Sequence, residues 1–101
     1  MRAIYRWRVK PGREEQFVTT WSALTKRIRA GVPGARGSML LRSADEPDVF
    51  VAVARWQTLE QWRAFRDASA ATPAPNPHAA NADLISAEPF EDVEDLVDGG
   101  D

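Results

Sequence analysis

Four tryptophans and a single histidine stand out in a chain of 101 residues that has no cysteine. The stretch RWQTLEQWRAF, residues 55–65, carries Trp56 and Trp62 with Phe65 three positions on; Trp21 comes earlier, and Tyr5 and Trp7 lie near the start. On base rates each ring is core material. Gathered from several elements, so many indoles are hard to pack without a void, and a cavity that stacks a small planar aromatic molecule is the sharper reading. His78 is the only side chain whose unperturbed pKa lies near neutrality, which makes it the sole candidate catalytic residue. The plainer reading is a surface residue at a helix start. Without cysteine there is no thiolate nucleophile, disulfide or zinc–cysteine site. No nucleophilic arrangement, phosphate loop or metal-ligand spacing occurs, so neither metal nor cofactor is expected. The glycines of GVPGARG precede a strand, where turn geometry explains them. Any chemistry would have to come from the substrate.

The elements that would position these rings follow from periodicity. RAIYRWRVK alternates strictly, with Ala3, Tyr5, Trp7 and Val9 on one face and Arg2, Ile4, Arg6, Arg8 and Lys10 on the other, which predicts a strand. After Pro11-Gly12, Phe17, Trp21, Leu24 and Ile28 form a helical stripe that ends near Gly31. Residues 36–43 and 49–56 read as a hairpin around the turn ADEPD. Thr58-Leu-Glu-Gln61 is a capping box, predicting a helix from Leu59 to about Ala70. TPAPNPH reads as a short extended linker, and Asn76-Pro77 as the cap of a last short helix over HAANADLI. AEPFEDVEDLV reads as a final strand. The order is β-α-β-β-α-β, an α+β ferredoxin-like unit with a four-stranded antiparallel sheet, as a single domain over 1–101.

Charge is distributed unevenly. Residues 1–36 hold nine of thirteen Lys and Arg, whereas residues 67–101 hold nine of fifteen acids and no Lys or Arg. The net charge of −2 speaks against nucleic acid as a partner. Either the tail is acidic and disordered, or the last strand pairs with the first, setting Glu88, Glu91, Asp92, Glu94 and Asp95 beside Arg2, Arg6, Arg8 and Lys10. No apolar run approaches the ~20 residues of a membrane helix, and the N-terminus lacks a signal-peptide core. A soluble cytoplasmic protein, with no membrane partner, is expected. Both faces of VFVAVARW and SMLL are apolar, yet two helices cover one face only; the second face is expected to meet another copy in a homodimer.

YRWRVKPGREEQF, PGARGSMLLR and FVAVARWQTLEQWRAF resemble the antibiotic biosynthesis monooxygenase (ABM) family. The resemblance runs from about Arg2 to Phe65, with a weaker tail from Leu84. It implies a dimeric α+β barrel and, in one branch, cofactor-free oxygenation of polycyclic phenols. That branch's pattern is matched by Trp21 and Trp56; Trp62 stands where a Tyr is expected and Ala52 where an Asn is expected. The loss of that amide supports a flat pocket better than catalysis, so a non-catalytic binding or accessory protein is the second reading. A haem-degrading branch fits less well, with Tyr5, Phe65 and, loosely, His78 at the places of its Asn, Trp and His. An electron-rich phenolate can itself reduce dioxygen if the protein supplies a dry pocket, orientation and one group favouring the anion. Arg36, Arg42, Arg55, Arg63 and Arg66 read as solvated or interface charges, any one of which near the cavity could serve. Tyr5, Trp7, Trp21, Trp56, Trp62 and Phe65 are the expected substrate-binding residues.

Overall fold

The computed structural model describes residues 1–72 and 76–97. Alternation produces strand β1 (Arg2–Val9), and Pro11-Gly12 turns the chain with Gly12 at φ 77°. Helix α1 (Glu14–Gly31) follows, burying Phe17. A second turn places Gly34 at φ 87°, and a Cβ there would run into the Gln61 side chain, so both conformation and contact demand glycine. β2 (Ala35–Arg42) and β3 (Val49–Trp56) form the predicted hairpin. The capping box is realised: Thr58 Oγ1 accepts from the Gln61 N–H at 3.1 Å, opening α2 (Leu59–Ala71).

The chain ends differently from the sequence reading. No helix forms over HAANADLI. Asn76 Oδ1 accepts from the His78 N–H at 2.9 Å, and the Asn81 and Ala82 N–H groups both donate to the His78 carbonyl. That is a single closed turn, using the same side-chain chemistry as a helix cap. β4 (Ala82–Phe90) starts at once. Residues 91–97, predicted to continue the strand, carry no regular element. The predicted proline-rich linker falls largely on residues 73–75, outside those described.

The sheet order is β2-β3-β1-β4, and every neighbouring pair is antiparallel. This is the expected ferredoxin-like α+β arrangement, with the last strand beside the first. β4 is an edge, which lets it hold Pro89, a residue without an N–H. One extra residue, Ile85, bulges it between the Arg6 and Trp7 pairings.

The expected acid ladder is only partly formed. Glu88 lies opposite Ile4, not a base. Among the described residues Arg2 meets the tail, 3.2 Å from Asp92 and 3.4 Å from Asp95, whereas Arg8 pairs with Asp48 at 2.6 Å and Lys10 donates to the Ala79 carbonyl. The strand stops too early for the other acids to align.

Both helices lie on the face bearing Tyr5, Trp7, Phe50 and Trp56. Phe17 makes edge-on contacts with Trp7 at 5.3 Å and with Phe50 at 5.5 Å between ring centroids. A second cluster gathers Ala3, Trp56 and Trp62, and Tyr5 packs against both clusters. Ending the chain after Phe90 removes two exposed ion pairs and should cost no more than about 1 kcal/mol in a urea melt. Ending it before Ala82 removes an edge strand and should abolish cooperative unfolding. A large loss from the shorter deletion would show that residues 91–97 stabilise the sheet.

Candidate functional site

The register across the sheet shows why a cavity opens. One row runs Leu40, Ala52, Tyr5, Ala87; the next runs Ser38, Ala54, Ala3, Pro89. Apart from Leu40 and Tyr5 these side chains are small, and the two helices above them scarcely touch each other. The space left between is about 770 Å³, within the usual range for a small-molecule site. Trp21, Leu24 and Ile28 of α1 wall one side, Phe65 and Ser69 of α2 the other, and the Asn76–His78 turn closes an end.

Tyr5, Trp7, Trp21, Trp56 and Phe65 all line this space. Tyr5 stacks on Trp7 with centroids 5.6 Å apart and planes at 12°, and Trp56 meets Phe65 at 5.3 Å. Trp62 does not line it. It is 0% exposed, packed with Trp56 and Ala3, with the Arg66 guanidinium 5.0 Å above its ring. Three residues into α2 its indole points into the sheet rather than along it. Its N–H donates to the Tyr5 hydroxyl at 2.8 Å. Trp62 thus supports the lining from behind.

His78 is not the surface residue that its proline-rich surroundings suggest. It is 7% exposed, lines the cavity, and sits edge-on to Trp7 at 5.5 Å and tilted to Phe17 at 5.2 Å. Its Nδ1 is buried without a hydrogen-bond partner, and burial lowers its pKa. The imidazole is therefore neutral near pH 7. Burial raises the Tyr5 pKa, opposed by the Trp62 hydrogen bond and the Arg66 charge, so the phenol keeps its proton.

Charge on the lining has one sign. Arg29 contributes to it, and among the described residues no carboxylate does; Arg55 borders the space from β3, but alternation turns its side chain to the outer face of the sheet. Sequence reading placed Arg55 among solvated or interface charges, any one of which near the cavity could serve, read Asn76 as a helix cap, and did not single out Arg29. Arg29 directly follows Ile28 of the apolar stripe, a signal that could have found it. No group of three or more metal-ligating side chains exists among the described residues.

Residues 1–74 match the family described as antibiotic biosynthesis monooxygenase, and the chain belongs to that family. Among solved structures it is similar to SnoaB, a cofactor-independent oxygenase from Streptomyces nogalater. Identity is 25%, with a TM-score of 0.70, covering 94% of this chain and 94% of SnoaB. It also shares its fold with the haem degrader MhuD from Mycobacterium tuberculosis, solved with two haems in its active site. There identity is 24% and the TM-score 0.67, covering 95% of this chain and 98% of MhuD. None of the curated proteins matches it.

The lowered pKa of His78 has a consequence for stability. The unfolded histidine, near pKa 6.5, takes a proton more readily than the folded one. Stability from the neutral form is complete above about pH 6.5 and is lost as pH falls through the lower folded value. Melting temperature should therefore drop between about pH 7.5 and pH 5, and drop less in His78→Gln. Equal slopes in the two proteins would contradict the burial of a neutral imidazole.

Proposed function

We propose that this chain is a cofactor-independent monooxygenase that oxygenates a planar, polycyclic phenol in the cavity between sheet and helices. One observation carries this reading. A space of about 770 Å³ is walled by five aromatic rings, with Arg29 and no carboxylate among its described lining residues on the helix side. Aromatic walls suit a flat guest; the Arg29 guanidinium suits its anion. Similarity to SnoaB adds support.

The chemistry this permits is spare. A phenol or anthrone loses a proton to give an electron-rich anion, which passes an electron to dioxygen. Combination of the two radicals and loss of water turn a CH2 into a carbonyl, consuming one O2 and releasing one H2O. The protein's part is to exclude water, orient the ring and favour the anion. His78, kept neutral by burial, is the lining group suited to accept the proton. The second reading, a non-catalytic binding or accessory protein, is favoured by Ala52, which leaves no side-chain amide on the β3 floor.

The outer face of the sheet supports a homodimer. Ile4, Val51 and Val53 lie there beside Met39 and Leu41, which are 59% and 46% exposed. Among the described residues no helix is long and apolar enough to cross a membrane. A chain without cysteine suits the reducing cytoplasm.

Anthrone with the purified protein, no metal or flavin added, should consume oxygen in equimolar amount and yield anthraquinone. Trp56→Ala should weaken binding by roughly 1–3 kcal/mol, read from saturable fluorescence quenching. Binding without uptake would leave the accessory reading; no binding would end both. Val51→Lys should shift a dimer toward monomer in sedimentation, whereas a monomeric parent protein would remove the barrel.

A further inference from the structure

Tyr5 occupies the middle of the cavity floor with an alanine on either side, Ala52 across β3 and Ala87 across β4. Its ring is held in place by the parallel stack on Trp7. Its oxygen is already engaged, since an indole nitrogen can only donate and the 2.8 Å contact with Trp62 uses the oxygen as acceptor. The hydroxyl proton must then point elsewhere, and no side chain or carbonyl among the described residues accepts it. A partly buried hydroxyl that accepts one hydrogen bond is a better donor of the next, and leaving that donor unused is costly.

Building on the aromatic-cavity reading above, we propose that the Tyr5 hydroxyl, backed by Trp62, donates to an acceptor oxygen on the edge of the bound ring system. The site thereby selects planar aromatics bearing a carbonyl or phenolate oxygen over plain hydrocarbons of the same shape. Burial keeps Tyr5 protonated through neutral pH, as a donor requires. The Arg66 guanidinium over the Trp62 indole adds a positive charge behind the relay.

The ligand pair 9-fluorenone and fluorene tests this, because the two differ in the oxygen and hardly in shape. The parent protein should bind fluorenone the more tightly. Tyr5→Phe should weaken fluorenone binding roughly three- to tenfold, the range of one neutral hydrogen bond, and leave fluorene unchanged. The carbonyl stretch of bound fluorenone should lie at lower frequency in the parent protein than in Tyr5→Phe, a signature that altered packing alone would not produce. If Tyr5→Phe fails to fold because the Trp62 N–H is stranded, Trp62→Phe keeps the hydroxyl and removes the relay. It should raise the carbonyl frequency by a smaller amount. Equal loss for both ligands, or an unchanged carbonyl stretch in either variant, would overturn the role of Tyr5. Fluorene binding in the parent protein separates this from the cavity itself: if neither compound binds, the cavity reading falls and takes this inference with it.

Discussion

Two helices cannot cover a four-stranded sheet, and the candidate site exists because of where they fail to meet. α1 lies over β2 and α2 over β3, and the gap between them is floored by Ala52, Ala54 and Ser38. The gap, about 770 Å³ in volume, is open to solvent and far too large to stay empty. The space must therefore hold water or a guest. Water between aromatic walls is poorly bonded, so a flat apolar ligand gains by displacing it. The same rings suit the gap to the flat guest proposed above.

Tyr5 reconciles that gap with a stable fold. It belongs to both packing clusters and is tied through its oxygen to the fully buried Trp62 of α2. This cross-link holds α2 at a fixed height over β1, so the helix does not collapse into the cavity. The same atom carries the one proton in the middle of the floor that no described residue accepts. Structural support and the proposed ligand recognition thus meet at one hydroxyl group.

The strands and helices up to Ala71 were legible because each signal has a single physical meaning. Strict alternation in RAIYRWRV, the Pro-Gly turns and the Thr58–Gln61 box admit no competing element. Asn76-Pro77 was ambiguous, since an Asn side chain that accepts an N–H two residues on serves a turn as well as a helix. Reading it as a helix start pushed the start of the last strand five residues too far along. The burial of His78 was hidden for the same reason: its place under Trp7 and Phe17 depends on the turn folding back. The rings of the site could be gathered from sequence by face. Trp62 was expected among them but lies behind the lining, because helix phase places it over the sheet without saying whether it ends in the cavity or behind it.

A crystal structure of the protein with 9-fluorenone bound is the most direct test of the site. The expected result is the ring system lying between Trp56 and Phe65 on one side and Trp21 on the other, with its oxygen at hydrogen-bonding distance from Tyr5. A cavity closed by collapsed side chains, or the compound held only on the outer face of the sheet, would contradict it.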